Sequence, residues 1–499
     1  RANNLTTGVI DPVSKEPDFK YTAVQVSRYR KEKQKVVIVG AGAAAYRFIN
    51  TYREMNTDDE LHVFSKEVHP FYNRVLLPEY VNDQLGWSDL VKFKTSSAFD
   101  ELNVHLHESN PVEAIDREQK TVTDSQGKTH AYDILVLATG SRAFVPSDVP
   151  IHYPGIFTLR DKGNADKLKA YLPEESEVLI VGGGLLGLEL AAALSEVDVQ
   201  ISIVQLSSRL MERQLDPVAC TLLREQVEQM GINIYTNDQV QLIDPHQPQE
   251  RIQVRLKSGK ALSCHAVVYA VGTRPNSELA KEAKLNCGRG VKVNDYLQTS
   301  DPSIFALGEI AEHRERMLGI TAAAEKQADT AARFINGDLL SRYEGSAPMN
   351  ILKFRNLNLC SIGIPEAPYP QRDEYEEVVF MDKAKSYYKK CIIHQGHLVG
   401  AILMGDKNEF AQFKQLIETQ TELGDQREQL LRSGGEQKQV IGKIVCSCGN
   451  VGQGNIDQAI EQGANQLNTL CQATGAGLGC GSCKPELQAI IQKKTAVPA

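Results

Sequence analysis

The chain has no cysteine before Cys220, and ten cysteines in 499 residues are too few for a scaffold stapled by disulfides. It also has no long hydrophobic run, because its most apolar stretch, residues 177–194, contains three consecutive glycines and Glu189. Such a stretch does not span a membrane. Basic residues are not in excess, since 55 Lys and Arg face 63 Asp and Glu for a net charge of −8. This balance argues against nucleic acid as the main partner.

The length indicates several domains, because one soluble domain takes roughly 100 to 200 residues. A hydrophobic content of 42% is ordinary for globular proteins, so each domain can bury a core of its own. The chain starts at Arg1 without the pattern of a signal peptide. We interpret this start as a cut, with more protein upstream.

Two glycine turns occupy equivalent places between a β-branched strand and an apolar helix. Their key positions are Gly40, Gly42 and Ala45 in the first turn and Gly182, Gly184 and Gly187 in the second. Glycines let the backbone bend sharply and approach a pyrophosphate, whose charge lies at the N-terminal end of the following helix. A turn that merely packs a strand on a helix can look the same, but two copies in this context favour two dinucleotide-binding units.

The residue that would hold the ribose is less clear in both units. In the first unit the strand is followed by Ser65, and the nearest carboxylate is Glu67. In the second unit the same position is Gln205, with Arg209 close behind. Loss of the carboxylate weakens the case for NADH, and an arginine can pair with the 2′-phosphate of NADPH. A solvated surface charge explains Arg209 equally well, so both nucleotides stay open.

Further motifs accompany the two turns. They are HPFYNRVLL at 69–77, ATGSR at 138–142, GTRPN at 272–276, TSD at 299–301 and ALGE at 306–309. With them, residues 35–422 resemble the two-dinucleotide flavoprotein reductases, and among these the flavin portion of the NAD(P)H nitrite reductase large subunit and of the assimilatory nitrate reductase electron-transfer subunit. The resemblance implies an α/β fold with two Rossmann-like domains of the pyridine nucleotide-disulfide reductase type, followed by an α+β C-terminal domain.

The same resemblance implies that FAD lies on the first turn and NAD(P)H on the second. The other cofactor-binding residues that it indicates are Arg74, beside the flavin, and Thr139, Gly140, Gly272, Gly308 and Glu309. Related reductases end the last motif in Gly-Asp, so Glu309 departs from them and fits the nitrite reductase branch. Disulfide reductases of this fold need a cysteine pair beside the flavin, and none is available before Cys220. We therefore expect the electrons to leave the flavin for another centre.

Four cysteines form two close pairs near the end of the chain, Cys446 with Cys448 and Cys480 with Cys483. Two loops that carry such pairs can surround one metal centre, because thiolates are soft ligands for zinc or iron. The spacing alone leaves structural zinc and iron open. The other six are expected to be small core residues, and they are Cys220, Cys264, Cys287, Cys360, Cys391 and Cys471.

The segment TGAGLGCGSC at 474–483 resembles the bacterioferritin-associated ferredoxin-like domain, which carries a 2Fe-2S cluster. This resemblance implies that the four paired cysteines are cluster ligands in a small helical module. Residues 455–462, 465–472 and 485–493 are predicted to be its helices.

The expected layout of the chain follows from these assignments. It comprises a FAD-binding domain at 35–150 and 274–340, an NAD(P)H-binding domain at 151–273, a C-terminal interface domain at 345–421, a linker at 422–439 and a 2Fe-2S-binding domain at 440–495. Residues 3–26 resemble the last segment of the molybdopterin domain of bacterial nitrate reductases, although a flexible N-terminal arm is an alternative. We therefore expect residues 1–34 to be the tail of a truncated molybdopterin domain and a linker.

Together these features predict a cytoplasmic oxidoreductase that serves as an electron-entry module. NAD(P)H, FAD and a 2Fe-2S cluster would supply electrons to the molybdenum site of an assimilatory nitrate reductase, whose upstream domain or subunit is the expected partner. No catalytic side chain is assigned, because hydride transfer between two bound cofactors needs none. Two alternatives stay open, the flavin half of a sirohaem NAD(P)H nitrite reductase and an NADH oxidase with a zinc-bound interaction domain.

Overall fold

The computed structural model describes residues 33–69, 71–92, 97–172, 175–244, 251–354, 357–424, 427–430, 440–447, 449–479, 481 and 483–495. Several predictions fall outside these residues. They concern the molybdopterin tail at 1–32, most of the linker, and two of the expected cluster ligands, Cys448 and Cys480.

The first glycine turn belongs to a unit whose strands are buried on both faces. Val36, Val37 and Ile38 are fully buried, as expected for a parallel strand that is covered by helices. The elements of this part are β1 (Lys35–Val39), α1 (Ala43–Arg53), β2 (Glu60–Phe64), α2 (Leu77–Val81), α3 (Trp87–Leu90), α4 (Ser97–Glu101), β3 (Val104–His107), β4 (Val112–Asp116), β5 (Thr121–Asp124), β6 (Thr129–Ala131), β7 (Ile134–Leu137) and β8 (Ser141–Ala143).

The chain then builds a second unit around the second turn. Its elements are β9 (Ile156–Thr158), α5 (Lys162–Tyr171), β10 (Ser176–Val181), α6 (Leu185–Leu194), β11 (Val199–Gln205), α7 (Pro217–Gln229), β12 (Asn233–Thr236), β13 (Val240–Asp244), β14 (Ile252–Leu256), β15 (Ala261–Cys264) and β16 (Ala266–Tyr269). The five strands of its parallel sheet lie in the order β12, β11, β10, β16, β9, and β13, β14 and β15 form an antiparallel sheet beside it.

After the second unit the chain returns to the first. The returning elements are β17 (Thr273–Pro275), α8 (Glu278–Glu282), β18 (Val291–Val293), β19 (Ile304–Ala306), β20 (Ala311–His313) and α9 (Thr321–Ile335). Strand β19 completes the first parallel sheet, in the order β19, β7, β1, β2, β3, next to the antiparallel sheet of β4, β5 and β6. The two crossing segments pair with each other as β8 and β17.

A third domain follows as a five-stranded antiparallel sheet with one main helix. Its elements are β21 (Met349–Phe354), β22 (Leu357–Gly363), β23 (Tyr375–Asp382), β24 (Tyr387–His394), β25 (His397–Met404), α10 (Phe410–Thr419) and the short α11 (Arg427–Leu430). Helix α11 lies inside the stretch predicted as a linker, and Leu430 packs into the core of this domain. The apolar Leu430 therefore anchors a segment that its polar composition marks as a connection.

The cysteine-rich module has a core of its own. It contains β26 (Ile444–Cys446), β27 (Val451–Gly452), α12 (Gln453–Glu461), α13 (Leu467–Thr474) and α14 (Lys484–Thr495), so the three predicted helices are confirmed. Ile456, Leu470 and Leu487, one from each helix, are fully buried in it. Because the helices pack on one another, the loops that carry the cysteines have a fixed support.

Candidate functional site

The first turn needs glycine at position 40 for two independent reasons. Gly40 has a φ of +110°, which L residues rarely adopt, and a Cβ there would lie 2.2 Å from the carbonyl oxygen of Ala138. The Gly40 amide donates to the oxygen of Phe64 at 2.8 Å. The turn therefore packs closely against the ends of β7 and β2. These ends lie at the carboxyl edge of the sheet, where ligands of this fold class bind.

The helix that follows each glycine turn has an open N-terminus. Gly42 caps α1 and Gly184 caps α6 without any side-chain hydrogen bond, and a Cβ at either position would meet no atom within 4 Å. By contrast, the side chains of Asp161 and Asp216 cap α5 and α7. The first amides of α1 and α6 are thus not capped by a side chain, which fits the binding of the phosphates of two dinucleotides.

The structure brings Gly308 over the first turn of α1. A Cβ on Gly308 would lie 3.3 Å from the Ala44 methyl group, and Gly308 itself has a φ of +77°. The Gly308 amide donates to the side-chain oxygen of Gln327 on α9 at 2.7 Å. Ala45 is fully buried beneath this contact. The predicted FAD residues of the first turn and of the last motif therefore lie together, although they are far apart in sequence.

Glu309, the next residue, is held by two groups. Its carboxylate accepts hydrogen bonds from the hydroxyl of Ser141 and from the guanidinium of Arg160, which also donates to the Ser141 carbonyl at 3.1 Å. Arg160 lies just after β9, so it reaches from the second unit into the first. Glu309 and Arg160 thus form an ion pair across the crevice between the two units.

Glu67 and Arg74 form an ion pair in the same crevice. Their closest atoms are 2.6 Å apart, and Tyr72 donates to Glu67 at 2.8 Å while accepting from Arg74 at 2.6 Å. Arg74 also donates to the carbonyl of Arg160 at 3.2 Å. Burial raises the pKa of Tyr72. Burial alone would lower the pKa of Arg74, but Tyr72 and Glu67 outweigh it and raise that pKa, so Arg74 stays cationic. The carboxylate of Glu67 is thus directed at Arg74.

Asn276 joins the two crossing segments by hydrogen bonds. The hydroxyl of Thr139 donates to the Asn276 carbonyl at 2.8 Å, the Asn276 side chain donates to the Thr139 carbonyl at 2.9 Å, and the Asn276 amide donates to the Gly140 carbonyl at 2.9 Å. Gly140 and Gly272 have φ values of +63° and +104°. These residues shape the passage between the two units, and the two glycines supply backbone conformations that other residues disfavour.

The second turn repeats the first and is tighter at its third key position, Gly187. Gly182 has a φ of +117° and a Cβ on it would lie 2.4 Å from the Ala270 oxygen. A Cβ on Gly187 would lie 2.0 Å from the Gly182 oxygen. The side-chain oxygen of Gln205 accepts from the Gly183 amide at 2.7 Å, and its side-chain nitrogen donates to Ser207 at 2.6 Å. Gln205 therefore ties the turn to the loop that follows β11.

Arg209 stands in that loop beside the third domain. Its guanidinium approaches the carboxylate of Glu366 at 3.4 Å, and its side chain is 34% exposed. An ion pair of this length and exposure holds the side chain only loosely. Arg209 thus keeps a positive charge within reach of the second turn.

The cysteine module shows the environment of two predicted ligands. Cys446 and Cys483 are buried, and the Gly449 amide donates to the Cys446 sulfur at 3.3 Å. A Cβ on Gly449 would lie 3.2 Å from that sulfur and 3.0 Å from the Gly475 oxygen. A thiolate that accepts from a glycine amide suits an iron–sulfur cluster, whose negative charge such an amide stabilises. The other two predicted ligands lie outside the described residues, so the set of four remains a prediction.

The remaining cysteines behave as core residues. Five of the six are buried: Cys220, Cys264, Cys360, Cys391 and Cys471, whereas Cys287 is half-buried. Burial raises the pKa of Cys220 and of Cys264 to about 12. Thiols of this kind are protonated and inert at neutral pH.

Three family models match successive parts of this chain. Residues 34–328 match the pyridine nucleotide-disulphide oxidoreductases. The chain belongs to this family. Residues 348–421 match the C-terminal domain of rubredoxin NAD+ reductase, and residues 444–493 match the BFD-like [2Fe-2S] binding domain. The protein is therefore an NAD(P)H-dependent oxidoreductase whose cofactors are FAD and a 2Fe-2S cluster, and the last match favours iron over zinc.

Two curated proteins of Bacillus subtilis are similar over most of the chain. A nitrite reductase [NAD(P)H] is 32% identical over 471 residues, which cover 92% of this chain and 58% of the relative. An assimilatory nitrate reductase electron transfer subunit is 29% identical over 475 residues, which cover 93% of this chain and 60% of the relative. The chain thus spans about three fifths of the length of these relatives.

Solved structures share the fold. The covalent putidaredoxin reductase–putidaredoxin complex matches with a TM-score of 0.72 and 25% identity, over 78% of this chain and 94% of that chain. The reduced CoADR-RHD of Bacillus anthracis matches with a TM-score of 0.74 and 23% identity, over 87% of this chain and 85% of that chain. Within the described ranges, every helix is too short or too polar to cross a membrane.

Three residues of the crevice were not predicted from the sequence to belong to the site. Arg160 follows a short strand without any motif, and Gln327 lies inside a helix, so nothing in their neighbourhood marks them. Asn276 does stand in the GTRPN motif. Its position there could have pointed to the contact with Thr139.

Proposed function

We propose that this chain is the electron-entry part of an assimilatory nitrate reductase. When bound, FAD takes up a hydride from NAD(P)H, and the 2Fe-2S cluster relays the two electrons one at a time towards a molybdenum site. The overall reaction would convert nitrate, NAD(P)H and a proton to nitrite, NAD(P)+ and water. The partner would be a molybdopterin domain or subunit, and the location would be the cytoplasm, where thiols stay reduced.

The side chains of this chain bind and orient the cofactors. The open N-termini of α1 and α6 would receive the two pyrophosphates, at Gly42 and Gly184. Glu309 and Arg160 would meet the flavin nucleotide along the crevice, and Arg74 would lie beside the flavin as a permanent cation. No proton transfer by a side chain is required, because hydride passes directly between two groups held in position.

The observation that carries the nitrate assignment is the similarity to a protein named as an electron transfer subunit. That relative is similar to 93% of this chain in one alignment of 475 residues. The resemblance of residues 3–26 to a molybdopterin domain points to the same partner. Both support a path that ends at molybdenum.

The path can be tested by removing one predicted ligand. We expect Cys446→Ser to leave NAD(P)H-driven ferricyanide reduction within about twofold of the original and to abolish nitrate-dependent NAD(P)H oxidation in an extract that supplies the molybdenum partner. Cys471→Ala is the matched control, since Cys471 is buried in the same module but is not a predicted ligand. Equal loss of both activities in Cys446→Ser would contradict the proposed order of centres.

A second candidate is the flavin half of a sirohaem nitrite reductase. It is favoured by the nitrite reductase of Bacillus subtilis, which has the higher identity of the two relatives at 32%. The two candidates differ in the terminal acceptor only. A gene deletion that abolishes nitrate-dependent but not nitrite-dependent NAD(P)H oxidation would support the first, and the reverse result would support the second.

A further inference from the structure

Helix α9 has one face towards the flavin-binding turn and another towards the cysteine module. On the first face, Gln327 binds the Gly308 amide, and a Cβ on Gly308 would lie 3.7 Å from the Ala324 methyl group. On the second face, Glu325 and Asp329 line a cleft of about 190 Å³. The two faces are separated only by the width of the helix, so the module lies close to the flavin domain.

Gly481, which lies between the last two predicted cluster ligands in the sequence, is close to Glu325. A Cβ on Gly481 would be 3.3 Å from a carboxylate oxygen of Glu325 and 3.9 Å from Cε of Lys484. Lys484 starts α14 and lines the same cleft. An acidic side chain of the flavin domain and a basic side chain of the module therefore meet at the same glycine.

The surrounding charges favour this pairing. Burial raises the pKa of Glu325, and among the neighbouring charges Lys484 counteracts it most, followed by Arg47. Arg47 is engaged by both carboxylate oxygens of Asp329, at 2.6 and 2.9 Å. Lys484 is thus the cation of the module that compensates the Glu325 carboxylate. In a partly buried site such a pair is stronger than on an open surface.

Two further contacts join the module to the third domain. Lys414 on α10 donates to the carbonyl of Leu478 at 2.7 Å, in the glycine-rich loop before Cys480. Ile351 on β21 packs against the apolar core of the module. The attraction between the Glu325 and Lys484 charges, a hydrogen bond to the backbone and an apolar contact together define one docked position.

We propose that Glu325 and Lys414 are positioning residues that dock the cysteine module on α9, so that electrons reach its cluster from the flavin of the same chain. This inference rests on the proposed function. Docking holds the module at a fixed distance and orientation from the flavin domain of the same chain, so that electron transfer does not wait for the two parts to meet by diffusion. Neither residue needs to touch a cofactor for this effect.

The test uses the full chain loaded with FAD and cluster, mixed anaerobically with NAD(P)H in a stopped-flow instrument. One NAD(P)H supplies two electrons, and the cluster takes one of them in the absence of an acceptor. We expect Glu325→Lys to slow cluster reduction at least tenfold while flavin reduction keeps its rate. We expect the double variant Glu325→Lys with Lys484→Glu to recover most of the original rate. Glu282→Lys, an equal charge change at an exposed site on α8, should have no effect.

A second measurement does not depend on electron transfer. Hydrogen–deuterium exchange should become faster at residues 475–479 in Glu325→Lys and stay unchanged in α12, with the cluster intact by its EPR signal. If Glu325→Lys fails to bind a cofactor, Lys414→Met replaces it with the same expected results. Unchanged exchange together with an unchanged cluster reduction rate would overturn the docking. A cluster that NAD(P)H never reduces in the original protein would instead overturn the proposed function, and exchange would still decide the docking.

Discussion

The two dinucleotide units share one architecture and differ in how closely the glycine turn packs against the helix that follows it. Each has five parallel strands, an antiparallel sheet of three strands and a glycine turn whose first amide donates to the neighbouring strand at 2.8 Å. The third key position is Ala45 in the first unit and Gly187 in the second. Ala45 is fully buried with its methyl group in place, whereas a Cβ at 187 would collide with the Gly182 oxygen at 2.0 Å.

This difference shows that two turns with the same motif can differ in whether they accept a side chain at the third key position. In the second unit the backbone of the turn lies directly on the first turn of α6, so position 187 has no room for a side chain. In the first unit the same position accepts one. The glycine count of a fingerprint therefore reports how closely helix and strand approach, in addition to where the phosphate binds.

A second difference lies at the edge of the parallel sheets. Strands β2 and β3 carry His62, His105 and His107, with His130 against them. The glycine turns align Phe64 with Val204, so the matching positions in the second unit are Ser202, Asn233 and Tyr235. Among the described residues, the histidine stack thus distinguishes the sheet edge of the first unit from that of the second.

The largest effect is expected from Gly187→Ala. The added methyl group would force the turn or α6 to move, and overpacking of this kind costs about 1–3 kcal/mol. We expect the KM for NAD(P)H to rise at least tenfold, or about 1.4 kcal/mol, while the FAD content stays unchanged. Steady-state ferricyanide reduction and the flavin absorbance measure the two quantities.

Ala45→Gly is the matched change in the first unit. It removes one buried methyl group and adds backbone freedom, which costs about 1 kcal/mol of helix stability. We expect a modest loss of FAD affinity and no change in the KM for NAD(P)H. Release of FAD by Gly187→Ala, or a higher KM for NAD(P)H in Ala45→Gly, would contradict the assignment of one nucleotide to each unit.

Arg209→Ala in the second unit is expected to affect one of the two nucleotides only. Its loose ion pair with Glu366 leaves the guanidinium available to a 2′-phosphate, and a charge-assisted hydrogen bond contributes about 1.5–3 kcal/mol. We expect the KM for NADPH to rise about tenfold with little change for NADH. Glu366→Gln, which removes the competing carboxylate, should leave the preference for NADPH equal or stronger. An equal change for both nucleotides would show that Arg209 does not select between them.

The sequence predicted the main elements of both units because local patterns determine them. The strand 36–39, the turn at 40–45 and the helix that follows correspond to β1, the turn and α1. The second copy and the third domain follow the same rule, since alternating and β-branched runs mark their strands. The antiparallel sheets of β4–β6 and β13–β15 were missed because their strands are only three to five residues long, although β14 alternates apolar and polar residues as a strand with one buried face does.

The crevice was harder to predict because distant segments build it. Glu67 is predicted to bind the cofactor as the carboxylate nearest to the end of β2, and the structure adds an ion pair with Arg74 that no local pattern indicates. Arg160 reaches Glu309 across 149 positions of sequence, a contact that no local pattern specifies. Residue types at a turn can be predicted from backbone geometry, whereas partners across a domain boundary depend on the packing of the whole molecule.

The smallest effect is expected from the histidine stack of the first unit. Burial, together with the charges of His105, Lys35 and His107 and against the opposing effect of Glu60, lowers the pKa of His62 from 6.5 to about 4. Burial also lowers the pKa of His107, which faces His130, Lys128 and Asp124. The unfolded chain therefore binds a proton on His62 near pH 6.5, whereas the folded chain binds it only near pH 4. The contribution of His62 to the free energy of unfolding is thus fully present above pH 6.5 and is lost as the pH falls towards 4.

We therefore expect acid to release FAD from the original protein at a higher pH than from His62→Ser, which copies Ser202 of the second unit. Flavin fluorescence during titration from pH 7 to pH 4 measures the release, and the difference should be a few tenths of a pH unit, because the other histidines of the stack remain. The exposed His152, changed to Ser, is the control and should leave the midpoint in place. If His62→Ser and His152→Ser release FAD at the same pH as the original protein, the acid sensitivity does not arise from the stack, and the two units differ at this edge in sequence alone.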